Sequence, residues 1–302
     1  MALDLPTSLS PSKVSSFQDC ALAFRFSAID RLPEPPSAPA IKGTAVHAAL
    51  ERLFALPAPE RTLPRARQLL AEVMAEMEHD EEFAALGLDD AERAAFAADA
   101  GTMVGRYFDL EDPASIEPVG LEMMLEAQLD GVTVRGIIDR LERGPAGELI
   151  VSDYKTGKAP TVTQERSRLG GVNFYAYLCR VVLGEMPAKV QLIYLGQDPQ
   201  VIVAPISEQS VNALERKLGA VWAAIERACE HDDFRPKRSA LCNWCAFTQW
   251  CPAFGGDPDE GAAHGAALRA EAAARAGGAP EGGPEASETA VAVELSPTAP
   301  GR

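Results

Sequence analysis

Hydrophobic positions change period twice along the chain, and these changes divide it into helical and strand-rich stretches. Residues 43–54, GTAVHAALERLF, carry an apolar stripe at Val46, Ala49, Leu50, Leu53 and Phe54, which is one face of a helix. With Thr44 as N-cap, His47 becomes the third helical residue, where the helix dipole favours a neutral imidazole. Residues 64–110 continue in helix formers, with Pro57, Pro59, Pro64 and Pro113 as boundaries. From residue 117 the period becomes two, and LEMMLEAQL, VTVRGIIDRLE and ELIVSDYK read as three consecutive strands. A helix over 170–184, a strand KVQLIYL at 189–195 and a long helix over 208–230 follow. That order predicts an α/β fold: a mixed β-sheet core flanked by helices.

Composition sharpens the boundaries. Apolar residues make up 47% of the 302 and charged residues 24%, as in a soluble globular chain. The net charge of −16 argues against a polyanionic partner, but most of it is concentrated in two segments. Residues 57–112 hold five basic against fourteen acidic residues and read as an acidic helical insertion. Residues 256–302 hold three against eight, contain no Phe, Trp or Tyr, and read as a disordered Ala/Gly/Pro/Glu-rich tail with a fraying helix over 262–276. One domain over 1–255 remains. No run is long and apolar enough to span a membrane, and the amino terminus lacks the basic and apolar regions of a signal peptide, so a cytoplasmic location is expected.

Chemistry concentrates where two strands meet. GVTVRGIIDRLER and GELIVSDYKTG are joined by turn residues and form an antiparallel hairpin. A loop from Gly144 to Glu148 sets Arg143 opposite Leu149 and therefore Asp139 opposite Asp153. Alternation puts Lys155 on the same face. Two carboxylates and an amine near one strand end can hold Mg²⁺ or Mn²⁺, and phosphodiester hydrolysis needs the charge stabilisation and water activation such an ion supplies.

These segments resemble motifs II and III of the PD-(D/E)XK nuclease superfamily in its RecB-like exonuclease branch. GIIDR supplies Asp139, and DYKTG supplies Asp153 and Lys155. GTAVHAALERLF resembles motif I, whose histidine corresponds to His47, and SPSKVSSFQDCALAFRF resembles the branch's amino-terminal segment. The branch's Q-x-x-x-Y motif is met at Tyr175 but has Gly171 in place of the glutamine. The resemblance covers residues 8–255 and implies a restriction-endonuclease-like core. Asp139, Asp153 and the Tyr154 carbonyl would bind metal, His47 would add a ligand or phosphate contact, Lys155 would position the nucleophile, and Tyr175 would contact substrate. DNA, single-stranded or with free ends, is the implied substrate, with repair or recombination the setting and a helicase or repair protein a possible partner.

Three of the six cysteines, Cys242, Cys245 and Cys251, cluster in LCNWCAFTQWCPAF, and Cys20 is the candidate fourth ligand. Such clustering implies metal rather than disulfides in a cytoplasmic protein. Spacing alone admits either zinc or a [4Fe–4S] cluster. One cysteine near the amino terminus and three in residues 236–255 resemble the iron–sulfur nucleases, namely the AddB nuclease domain and the CRISPR-associated RecB-like exonucleases, which implies the cluster. Cys179 and Cys229 fall in helical apolar patterns and read as core residues.

Two other readings compete. Ser10 to Lys13 spells S-x-x-K and Lys155 to Gly157 spells K-T-G, as in penicilloyl-serine enzymes, but no separate S-D-N element accompanies them. Gly171 leaves room for a catalytically impaired, metal-stapled nucleic-acid-binding or scaffold protein on the nuclease fold. Retention of Asp139, Asp153, Lys155 and His47 together argues for the enzyme.

Overall fold

The computed structural model describes residues 3–160, 171–204 and 206–276. Its strands are β1 (Ser8–Leu9), β2 (Pro118–Leu129), β3 (Val132–Arg143), β4 (Leu149–Lys155), β5 (Lys189–Tyr194) and β6 (Gln200–Ala204). The helices that matter to the site are α1 (Pro11–Asp19), α2 (Ala21–Phe24), α3 (Ala38–Phe54), α4 (Leu63–Met77), α5 (Glu81–Ala84), α6 (Asp90–Leu110), α7 (Val172–Leu178), α8 (Glu208–His231) and α9 (Pro258–Ala276). The six strands form one mixed sheet in the order β1-β3-β4-β5-β6, with β2 paired to β3.

Strand β3 organises the sheet. On one side it pairs antiparallel with β2 from Leu129↔Val132 to Pro118↔Glu142. Since β2 occupies that edge, β1 and β4 must share the other, with β1 parallel at Thr133 and Val134 and β4 antiparallel from Arg143↔Leu149 to Arg140↔Ser152. Between those two partners, residues 135–139 of β3 have no strand neighbour on that side among the described residues. The sheet is forked there.

Each face of the sheet has its own core. One packs Val134, Ile138, Val151 and Leu192 against Phe174, Leu178, Leu218 and Trp222 from α7 and α8. The other packs Tyr154 and Ile193 against Val46, Leu50 and Leu53 of α3, Leu69 and Leu70 of α4, and Val104 and Tyr107 of α6. The acidic stretch 57–112, expected as an insertion, thus covers one face of the sheet and supplies part of its core.

Two further expectations are corrected. Helix α3 starts at Ala38 behind Ser37, with Pro39 in its first turn, so Thr44 lies inside it and donates its hydroxyl to the Ala40 carbonyl at 3.3 Å. His47 is therefore mid-helix, because residues 38–43 also form helix and extend it backwards. Residues 258–276, expected as part of a disordered tail with a fraying helix over 262–276, form α9, which begins four residues earlier and is docked. The His264 ring lies 5.5 Å from that of Trp250, Arg269 donates to the Asp30 carbonyl, and glycines at 261 and 265 permit close approach: a Cβ on Gly265 would meet the Asp30 carbonyl oxygen at 2.5 Å. Small residues, rather than an aromatic stripe, dock this helix. The remainder of the expected tail, 277–302, lies outside the described residues.

Candidate active site

The fork between β3 and β4 gathers the polar residues. Asp139 is the last β3 residue before the β4 ladder begins, and Asp153 follows Ser152 at the ladder's end. Both carboxylates are buried, at 7% and 2% exposure. The Tyr154 amide donates to Asp139 Oδ2 at 2.6 Å, Tyr175 donates its hydroxyl to Asp153 Oδ1 at 3.0 Å, and Lys155 Nζ lies 2.5 Å from Asp153 Oδ2. Helix α3 closes the other side. Gly43 makes this possible, since a Cβ there would stand 3.1 Å from the Thr156 hydroxyl. One turn on, His47 Nε2 reaches the Tyr154 carbonyl at 3.1 Å while Nδ1 lies 3.5 Å from Asp139 Oδ2.

A residue the sequence reading missed completes the group. Glu122 Oε1 is 3.8 Å from His47 Nδ1, and ligand atoms of His47, Glu122 and Asp139 all fall within 4.8 Å of one another. Leu121↔Arg140 and Met123↔Ile138 flank it, so Glu122 occupies the rung opposite Asp139. Its φ of +42° is left-handed, a conformation that costs a non-glycine residue about 1–3 kcal/mol. The core-facing side chains of β2 also change face at this point: Leu121 packs with the α3 core and Met123 with the α7–α8 core. A signal was available. Asp130-Gly131 is a two-residue hairpin turn with both φ positive, and its register alone sets Glu122 against Asp139.

Electrostatics follow from crowding. Burial and the neighbouring Asp153 charge push the Asp139 carboxyl up to about 7, against the opposing pull of His47 and the Tyr154 amide. Burial lowers His47, but its hydrogen bond to Glu122 and the nearby Asp139 and Asp153 charges outweigh that and raise it. The helix-dipole expectation of a depressed imidazole is thus reversed. Burial likewise lowers Lys155, and Asp153 and Asp139 hold it above its ordinary value. A cleft of about 460 Å³ opens in front, lined by Gly43, Thr44, His47, Glu51, Glu122 and Thr156.

This donor set fits a hard divalent cation: two carboxylates, an imidazole and a backbone carbonyl converge at an open cleft, and clustered negative charge awaits compensation. A family model of the PD-(D/E)XK nuclease superfamily matches residues 8–252. The chain belongs to that superfamily. Gene 69 protein of Mycobacterium phage D29 is 28% identical over 179 residues, which is 50% of this chain and 63% of the phage protein. The chain therefore spans less than two thirds of that relative's length. A crystal structure of a candidate exonuclease from Eubacterium rectale superposes with a TM-score of 0.51 at 12% identity, covering 79% of this chain and 87% of the other, and shares its fold.

A second cluster lies apart. Cys20, Cys242, Cys245 and Cys251 line a single cavity of about 290 Å³ although more than two hundred residues separate the first from the rest. The Lys237 amide donates to Cys20 Sγ at 3.5 Å and the Ser239 amide to Cys242 Sγ at 3.4 Å. Burial raises the Cys245 thiol, the Phe247 amide lowers it, and the nearby Cys20, Cys242 and Cys251 raise it further. Among the described residues no three of the sulfurs lie within 4.8 Å of each other. Four thiolates at 2.3 Å from tetrahedral zinc would sit roughly 3.8 Å apart, so the cavity is wider than a zinc site. Trp250 packs near Phe26, whereas Trp244 is 88% exposed. Cys179 and Cys229 are buried elsewhere.

Proposed function

We propose that the chain is a Mg²⁺- or Mn²⁺-dependent deoxyribonuclease of the RecB-like branch, acting from ends on single-stranded or end-bearing DNA. The observation that carries this reading is the convergence of His47, Glu122, Asp139 and the Tyr154 carbonyl beside the Asp153–Lys155 pair. A divalent ion held there supplies Lewis-acid stabilisation of the phosphoryl charge and lowers the pKa of water. The protein groups do the rest. Asp139 is oriented by the Tyr154 amide and His47 by the Tyr154 carbonyl, so the backbone of one residue fixes two ligands. Tyr175 fixes Asp153, which leaves the Lys155 ammonium to hold the attacking water and stabilise developing negative charge. Tyr175 would also contact substrate.

The cysteine cavity supports a [4Fe–4S] cluster as a clasp joining the α1–α2 junction to the carboxyl-terminal loop. A cubane places each thiolate on a different iron and spreads the sulfurs wider than zinc does. Repair or recombination, with a helicase or repair partner, is the setting that fits a strand-degrading enzyme. No helix among the described residues is long and apolar enough to cross a membrane, and a cytoplasmic location accords with reduced cysteines.

Purified protein incubated with Mn²⁺ on end-labelled and on circular single-stranded DNA tests the activity. Loss of the labelled end with the circle intact is expected; cleavage of neither substrate would sink the reading. Anaerobically purified protein should be brown and carry about four iron per chain, and stoichiometric zinc without iron would overturn the cluster.

A further inference from the structure

Beyond the fork, the β2–β3 hairpin continues as an arm with one face in the core and one in solvent. Leu125, Ala127, Val134 and Ile138 face the core. On the other face Met124 and Ile137 stand directly opposite one another, 49% and 44% exposed, two residues along from Glu122 and Asp139. The next rung on that face is Glu126↔Arg135, whose charged groups are 3.9 Å apart and exposed. Met124 and Ile137 thus form an exposed apolar pair beside the carboxylate cluster.

Cations gather at the end of this stripe despite the chain's net charge of −16. Leu9 of β1 pairs with Val134, the neighbour of Arg135, and Lys13 of α1 folds back to donate to the carbonyl and hydroxyl of Ser8 at 3.1 and 3.3 Å. These acceptors are neutral, so the ammonium charge is uncompensated. Burial lowers the Lys13 pKa, and the like charges of Arg135 and then Arg31 lower it further. Arg31 sits on a left-handed residue with φ of +53°. Neither Lys13 nor Arg31 has a carboxylate partner within 4.0 Å among the described residues.

We propose that this face of the arm is the track for the DNA single strand on one side of the scissile phosphate, with Met124 and Ile137 packing against a base or sugar and Lys13, Arg31 and Arg135 gripping phosphates beyond it. The proposal rests on the nuclease reading. Charge complementarity selects the occupant: a polyanion with apolar faces matches a cationic patch followed by an apolar step leading to a cation-binding carboxylate cluster, whereas an apolar protein partner would leave Lys13 and Arg31 unmatched.

Binding of a fluorescein-labelled oligodeoxythymidylate, followed by anisotropy with Ca²⁺ in place of Mn²⁺ over a range of salt, tests it. The triple change Lys13→Ala, Arg31→Ala, Arg135→Ala should weaken binding and flatten the plot of log K against log[salt] by about 0.7 for each phosphate contact removed. The pair Met124→Ala, Ile137→Ala should weaken binding several-fold with the salt slope unchanged. Glu126→Gln should tighten it by freeing Arg135, a gain no misfolded variant would mimic. Wild-type affinity and slope in the triple variant, with the wild type cleaving DNA, would overturn the track while leaving the nuclease reading intact. A wild type that neither binds nor cleaves would instead remove the reading on which the track stands.

Discussion

Asp139 and Arg140 are adjacent in the chain, yet their side chains enter opposite kinds of charged cluster. Arg140 is fully buried, and its guanidinium is saturated: Nε donates to Glu142 at 2.6 Å, one terminal nitrogen to the hydroxyls of Tyr154 and Tyr107 at 2.8 and 3.1 Å, and the other to both Glu111 oxygens and to Ser152. The Phe54 ring covers it with its centroid 4.6 Å away. Asp139 instead faces Glu122 and lies near Asp153, whose buried Oδ2 has no well-formed hydrogen bond beyond its ion pair with Lys155. A cluster whose charges and donors are satisfied within the protein holds the fold together. One left with excess negative charge at a cleft is able to take up an ion from outside. Tyr154 joins the two, with its hydroxyl on Arg140 and its peptide groups on Asp139 and His47.

The largest effect expected is on catalysis. Asp153→Ala or Lys155→Ala should reduce metal-dependent cleavage by about a thousandfold or more while thermal unfolding remains cooperative, since an ion-binding group and its charge partner contribute several kcal/mol to the transition state. End-label release kinetics on purified variants measure this, and undiminished cleavage would place the activity elsewhere.

Arg140→Ala should act the opposite way, on stability first. Leaving Glu142 and Glu111 without their cation should cost about 3–5 kcal/mol in urea unfolding. Loss of activity without loss of stability in this variant would break the comparison, because Arg140 would then belong to the site.

A pH dependence separates the clusters next. The Asp139 carboxyl, raised to about 7 by burial and by Asp153, favours folding while protonated. That contribution is complete below the unfolded carboxylate value and is lost as pH rises through about 7, and the raised His47 acts in the same direction. Metal-free protein should therefore melt higher at about pH 5 than at about pH 8, whereas metal affinity should fall by up to about tenfold per pH unit below 7 as protons compete for the ligands. Calorimetry with and without Mn²⁺ reads both slopes.

The smallest effect is the sharpest discriminator. Glu122→Gln removes one of two facing carboxylates and should stabilise metal-free protein by about 0.2–1 kcal/mol, at the expense of Mn²⁺ affinity. Glu142→Gln should destabilise it, because there the carboxylate neutralises a buried guanidinium. Equal signs for the two would erase the distinction.

Much of this was legible in the sequence where the determinants are local. The three strands β2, β3 and β4 follow from alternation, and the five-residue loop after Arg143 set the β3–β4 register that the ladder shows. Strands β1 and β6 escaped, being two and five residues long, too short for alternation to register. Glu122 was passed over because an acidic residue in LEMMLEAQL looks like any solvated position on an alternating strand; only its register against Asp139 distinguishes it.

By itself, then, the sequence determined the longer strands and helices, the β3–β4 register and the residue types able to bind a divalent ion, since periodicity and turn chemistry act over a few residues. Tertiary structure decided which of these meet. Packing of α3 across the sheet, at the close approach Gly43 allows, brings His47 to a carbonyl 107 residues away. The fold carries Cys20 into the cavity of the other three cysteines, and it docks α9 through glycines that in sequence resemble a flexible tail. The kink at Glu122 and the fork beside Asp139 divide two adjacent residues between a saturated network and an open one. Such outcomes depend on which surfaces exclude water together, and no local pattern encodes that.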